Sequence, residues 1–232
     1  MVSGMLVLAH RGANRREPEN TVPAMRQAMD LGADGVELDV HRTADGALVV
    51  RHDADTPAGM IGELTLGMLH ASFPDVPALA AVLDVCEGWL VNVEMKDPDP
   101  RATEALIELL AVRSSGSSDD VLVSSFDLAT IDRVRALAPH LPTGFLSFGL
   151  APDEVLAVAV DHGHTAVHPD VWTLMAGDVG EFVGRVHDAG LQVNVWTVNE
   201  LDQVVALRDA GVDALITDDT ALYTYGVRGR RR

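Results

Sequence analysis

The sequence predicts an α/β fold, a TIM-type (β/α)8 barrel in a single domain, and three observations carry that expectation. Eight short apolar runs recur along the 232 residues, amphipathic stretches of helical period lie between them, and glycines stand where a helix has to stop before the next run. Strands alternating with helices read as a parallel sheet joined by helical crossovers. Eight is also the strand number that closes such a sheet on itself.

In order, the strand candidates are Leu6–Ala9, Gly35–Val40, Leu90–Glu94, Val121–Ser124, Thr143–Leu146, Ala166–His168, Gln192–Val195 and Ala214–Thr217. Helical periodicity marks Thr21–Leu31, Ala78–Glu87, Arg101–Val112, Leu128–Leu137, Pro152–Asp161, Gly180–Ala189 and Glu200–Ala210. Gly32, Gly190 and Gly211 each follow a helical stretch and precede a strand, the place for a residue that tolerates the left-handed turn closing a helix. One additional hairpin-like strand, Ala47–Arg51, follows the turn Ala44-Asp45-Gly46. No linker or shift in composition divides the chain. The barrel is expected over residues 1–226, with 227–232 a basic, disordered tail.

Composition narrows the function. Hydrophobic residues make up 47% and charged residues 22%, a soluble globular balance with few aromatics. No apolar run approaches the ~18 residues of a membrane span, so stable membrane insertion is not expected. The opening MVSGMLVLAHRG is too short and uncharged for a secretory signal, and the lone Cys86 excludes an internal disulfide or a cysteine metal cluster. These features place the protein in the cytoplasm by expectation. The formal charge is −18, and four of the basic residues are in the last five positions, so the body of the chain is more acidic still. Such a surface repels nucleic acid. An anionic small molecule would need a metal ion or a few placed basic groups to be held.

In a parallel barrel the chemistry gathers at the C-terminal ends of the strands. The first strand runs into His10-Arg11-Gly12, the second carries Glu37-Leu38-Asp39, and the third carries Glu94-Met95-Lys96. Alternation puts Glu37 and Asp39 on one face, and Glu94 and Lys96 likewise. The hairpin brings His52-Asp53 nearby. Three carboxylates in one low-dielectric pocket are costly without a cation, and an all-oxygen set suits Mg²⁺, Ca²⁺ or Mn²⁺ rather than zinc. His10 and His52 fit a general acid and a general base, while Arg11 and Lys96 supply positive charge for a phosphate. Individually each feature is ordinary; a Glu-x-Lys is commonly a surface ion pair. Their alignment at successive strand ends gives them weight. His41, His70, His140, His162, His164 and His187 are expected on the surface, and His168, at a strand end, is a weaker candidate for the pocket.

The same residues resemble the glycerophosphodiester phosphodiesterase family. His10-Arg11-Gly12 with Pro18-Glu19-Asn20-Thr21 is similar to the family's opening signature. Gly35–Val40, Val50–Asp53, Asn92–Lys96, Ser124–Asp127, Asn194–Asn199 and Gly211–Asp218 continue the resemblance in order. It implies hydrolysis of a small-molecule glycerophosphodiester to sn-glycerol 3-phosphate and an alcohol. It further implies a divalent cation on Glu37, Asp39 and Glu94, acid and base roles for His10 and His52, phosphate contacts from Arg11 and Lys96, a supporting role for Glu19, and a pocket-lining Trp196. The departures are Ala54–Gly59 and Thr65–Leu69, where the family has other stretches, so the head group stays open, as does the oligomeric state. Two alternatives accompany this reading. One is a phospholipase-D-type enzyme acting on lysophospholipid or sphingomyelin, although the sequence displays no clear apolar rim. The other is a non-catalytic barrel that binds phosphorylated ligands.

Overall fold

Eight parallel strands close into a ring in the computed structural model, which describes residues 4–113 and 121–221. The ring consists of β1 (Leu6–His10), β2 (Gly35–Arg42), β6 (Leu90–Met95), β7 (Val121–Ser125), β8 (Thr143–Ser147), β9 (Ala166–Pro169), β10 (Gln192–Val195) and β11 (Ala214–Thr217). β1 pairs with both β2 and β11, which completes the circle. β3 (Leu48–Val50) lies outside it, antiparallel to β2. β4 (Asp55–Thr56) and β5 (Gly59–Met60) form a separate small hairpin. The helices are α1 (Val22–Asp30), α2 (Leu66–Ser72), α3 (Leu79–Val85), α4 (Pro100–Arg113), α5 (Leu128–Leu137), α6 (Pro152–His162), α7 (Val171–Met175), α8 (Val179–Asp188) and α9 (Leu201–Asp209). The expected tail at 227–232 lies outside the described residues.

Strand alternation sorts the core into two zones. Outward residues such as Val36, Leu38, Val93, Val123, Val167 and Val193 are buried among residues of the surrounding helices. Inward residues begin with an apolar floor of Leu8, Ala214 and Ile216, packed with Leu6 and Leu90. Above that floor the interior turns polar, with Asn92, Ser124, His168 and Asn194 all buried. His168 fits because its ring lies over Gly144 of the neighbouring β8, where a Cβ would come within 2.3 Å of the imidazole Nε2.

Helix starts follow the capping chemistry written in the sequence. Thr21, Thr65, Asp127, Asp170 and Asp178 each accept a backbone N–H of the first turn of α1, α2, α5, α7 and α8. The short helices α2 and α7 and the β4–β5 hairpin were not expected. They fall in stretches too short for a helical or alternating period to emerge. What stabilises the first of these stretches is a satellite cluster in which Ile61, Leu64 and Leu69 pack on Val49 of β3.

Candidate active site

Register brings the carboxylates together. Glu37 pairs across from His10, and Asp39 lies level with Glu94 on the neighbouring strand. Glu37, Asp39 and Glu94 are all buried and offer oxygen atoms within 4.8 Å of one another. The Arg11 backbone N–H donates to Glu37 Oε2 (3.1 Å), which is possible because Arg11 is in the left-handed region at φ 56°. Gly12 follows at φ 78°, pressed so close to Ala24 that a Cβ would meet its carbonyl carbon at 2.7 Å. The tight turn after β1 therefore depends on glycine.

Two cations and an amide brace the cluster. Arg11 Nε lies 3.2 Å from Asp39 Oδ2, and its Nη1 donates to Glu19 at 3.1 Å. Lys96 Nζ is 2.9 Å from Glu94 and 3.6 Å from Asp39. Asn20, buried at φ 59°, donates its amide to Asp39 Oδ2 (2.8 Å) and accepts the Asp39 backbone N–H (3.3 Å). These contacts do not neutralise three buried acids. Burial, followed by repulsion from Asp39 and Glu94, pushes the Glu37 carboxyl well above the usual carboxylate range. Burial and Asp39 likewise raise Glu94, although Lys96 opposes the shift. Glu37 Oε1 is buried without a hydrogen-bond partner, and Glu94 Oε1 meets Lys96 alone.

The two histidines approach from different sides, each with an acid behind it. His10 Nδ1 is 2.6 Å from Asp218 Oδ1 and its Nε2 is 3.9 Å from Glu37 Oε2. Burial favours the neutral acid at Asp218, but hydrogen bonds from His10, Asn14 and Asn199 outweigh it and hold this carboxyl well below the usual range. His52 Nδ1 is 2.7 Å from Asp53 Oδ1, and its carbonyl accepts from His41 Nε2 (3.0 Å). The positive form of His52 is near enough to favour ionised Glu94. A cavity of about 380 Å³ opens beside His52, with Glu19, Asn20, Arg51 and Phe73 among its walls.

Across the mouth the wall is aromatic. Trp196 packs one side against the apolar floor, donates Nε1 to the His168 carbonyl (2.8 Å), and meets Phe126 edge-on at 5.4 Å. Phe148 is 6.3 Å from Trp196 between centroids and 70% exposed. Leu150 and Trp172 extend the exposed apolar surface on the same strand-end side. The rim that the sequence did not display is present, because β7, β8, β9 and β10 each deliver one part of it.

The residues assigned acid–base, metal or substrate roles in the sequence all reach this end of the barrel, but with different neighbours. Glu19 contacts Arg11 at the exposed edge rather than the carboxylate cluster. His41 and His164, expected on the surface, are buried: His41 because β2 extends past the ring and is covered there by β3, His164 because the turn after α6 folds it inward. His168 is sealed inside the barrel, below the mouth. Asn20, Asn199 and Asp218 were not recognised as site residues. Asp218 had a usable signal, since the eighth strand must end beside the first in a closed ring.

A family model described as the glycerophosphoryl diester phosphodiesterase family matches residues 10–222. The chain belongs to this family. A glycerophosphodiester phosphodiesterase of Caldanaerobacter subterraneus subsp. tengcongensis is 33% identical over 92% of this chain and 94% of its own length. A probable glycerophosphodiester phosphodiesterase 1 of Mycobacterium tuberculosis is 33% identical, covering 89% of this chain and 86% of that protein. Among solved structures, the glycerophosphodiester phosphodiesterase of Thermotoga maritima superposes with a TM-score of 0.83 at 25% identity, covering 96% of this chain and 98% of its own. As a glycerophosphodiester phosphodiesterase, the chain is a phosphoric diester hydrolase. Among its described residues no helix is long and apolar enough to cross a membrane.

Proposed function

We propose that this enzyme hydrolyses glycerophosphodiesters to sn-glycerol 3-phosphate and an alcohol, with His10 and His52 as its acid–base pair beside a divalent cation. The observation that carries the reading is the convergence of Glu37, Asp39 and Glu94, buried together next to both histidines, with Glu37 Oε1 making no hydrogen bond. The donor set fits the ion: all ligands are oxygen, and the burial and mutual repulsion that raise Glu37 and Glu94 are what a cation offsets. Mg²⁺, Ca²⁺ and Mn²⁺ all suit it. When bound, the cation supplies Lewis-acid charge to a phosphoryl oxygen. The side chains do the rest. Arg11 and Lys96 bridge the carboxylates and present their remaining N–H groups to the phosphate. Asp218 holds His10 through Nδ1, so its Nε2 is the nitrogen turned to the mouth to accept a proton. His52, oriented by Asp53, protonates the leaving alkoxide. Glu19 steadies Arg11, and Trp196 lines the glycerol side. A cytoplasmic setting goes with this reading, in keeping with the single unpaired thiol of Cys86.

Release of glycerol 3-phosphate from glycerophosphocholine tests it, measured before and after chelation and dialysis. Turnover should vanish on chelation and return with Mg²⁺, Ca²⁺ or Mn²⁺. Full activity without a cation would refute the metal role, and no release under any condition would refute the substrate.

The aromatic rim favours a second reading, lysophospholipid as substrate, its acyl chain lying on Phe126, Phe148 and Leu150. Covering an exposed Phe contributes roughly 1.5–3 kcal/mol. Phe148→Ala should then raise KM for lysophosphatidylcholine by about tenfold or more and leave glycerophosphocholine unchanged. Equal effects on both substrates would leave the rim without a role in binding the acyl chain.

A further inference from the structure

A second constellation of ligand-type side chains is at the other end of the barrel, where helices return to the starts of strands. His162 ends α6, Gly163 reverses the chain at φ 69°, and His164 follows just ahead of β9. Both imidazoles face Asp132 of α5. His162 Nδ1 lies 2.9 Å from Asp132 Oδ2, and His164 Nε2 lies 3.4 Å from Asp132 Oδ1. One ligand atom from each residue falls within a 4.8 Å circle. The rings stack with centroids 6.1 Å apart and planes within 9°.

What separates this from an ordinary surface pairing is His164. Its side chain is 0% exposed, yet Nε2, the atom aimed at Asp132, makes no hydrogen bond. A buried polar atom without a hydrogen bond is costly. Nδ1 is 3.0 Å from Thr143 Oγ1, so a proton on Nδ1 can be given to that hydroxyl, leaving the Nε2 lone pair facing the cluster. An outer partner of this kind fixes the tautomer of a metal-bound histidine. Asp132 and His162 are both partly exposed, which gives an ion a path in. The opposing feature is Arg135, whose Nε donates to the Gly163 carbonyl (2.8 Å) and whose charge stands nearby. The Asp132 carboxylate offsets it.

We propose that Asp132, His162 and His164 form a zinc site with water in the fourth position. Two imidazoles and one carboxylate suit Zn²⁺, whereas the all-oxygen cluster at the other end suits a hard cation. For Zn–ligand bonds of about 2.0–2.1 Å, ligand atoms of a tetrahedron lie roughly 3.4 Å apart, as His164 and Asp132 already do. The ion takes the place of the hydrogen bond between His162 and Asp132, so loading displaces any proton held there. Its effect is to tie α5 to the turn between α6 and β9, on the face of a barrel concerned with stability rather than chemistry.

The test loads the chelated, dialysed full chain with ZnCl₂ and counts zinc by native mass spectrometry and titration calorimetry, alongside Asp132→Asn. Zinc taken by the carboxylate cluster is common to both proteins, so the difference between them reads this site alone. The wild type should bind one more zinc than the variant, or bind it at least about tenfold more tightly. Zinc should raise its Tm more than that of Asp132→Asn. Cobalt should give intense tetrahedral visible bands that the variant lacks. Equal stoichiometry and affinity in the two proteins would overturn the proposal. Should Asp132→Asn fail to fold, His162→Ala, at a half-exposed position, serves in its place with the same two outcomes. None of these readouts involves phosphodiester turnover, so the result is independent of the proposed activity.

Discussion

Arg11 illustrates how much of the site hangs on single residues. Its left-handed backbone turns one N–H onto Glu37, while its guanidinium spans Asp39 and Glu19. Lysine there would keep the charge but lose the fork that spans two acids. The histidines divide in the same residue-level terms. His10 is tied to Asp218 in the ring, and His52 to Asp53 outside it, which points to His10 as base and His52 as acid. A general acid matters most when the departing alkoxide is strongly basic. On glycerophosphocholine, His10→Ala and His52→Ala should each lose roughly 10²–10⁴-fold in kcat/KM. On a nitrophenyl phosphodiester only His52→Ala should recover substantially. If both variants lose equally on both substrates, the divided roles are wrong and the histidines serve to position the phosphate. Most of these side chains could be read from the sequence, because strand alternation and strand ends are local properties. Asp218 and Asn20 were missed because their value lies in a partner 208 and 19 residues away, respectively, a distance that no local pattern reports.

At the scale of elements, every expected strand and helix recurs to within two residues at either end. The ring strands are short, apolar and separated by capped helices, so period and punctuation agree. The stretch from 54 to 76 has no period to read; α2, capped by Thr65, is held by packing on β3, and the small hairpin by its own backbone pairing. β9 carries a less visible constraint. His168 is wholly enclosed, with Nε2 3.0 Å from the Asn194 amide and Nδ1 unpartnered. Burial pushes its pKa down to about 3. The unfolded chain, with an ordinary imidazole near 6.5, takes up a proton that the folded barrel refuses. Stability is therefore intact above pH ~6.5 and falls as pH drops from there towards 3, by up to about 1.4 kcal/mol per unit. Urea unfolding between pH 7 and 4 should show a slope of that sign, to which the buried His41 and His164 also contribute, and His168→Gln should reduce it. Glu37 and Glu94 act in the opposite sense, since their raised values favour the folded state on acidification, but they are common to both proteins and cancel in the comparison. An unchanged slope in His168→Gln would remove His168 as the source.

For the molecule as a whole, a charge of −18 and a mouth lined by three buried acids make an unpromising host for an anionic phosphate, and the sequence already posed that conflict. The strand-end placement of acids, bases and cations was legible because ring closure follows from strand number. The aromatic rim was not, because Phe126, Phe148, Trp172 and Trp196 are scattered over about seventy residues and meet only when four strand ends become neighbours. Ring closure also omits β3. The circle is complete from β2 to β6, while the stretch from β3 to α2, with His52, Asp53 and part of the wall of the adjoining cavity, hangs from the outer end of β2. The proposed acid–base pair is thus divided between a chassis and an attachment. Lengthening, trimming or exchanging the attachment reshapes the leaving-group side while the carboxylate cluster and His10 keep their register, so one barrel can be refitted for different alcohols without being rebuilt.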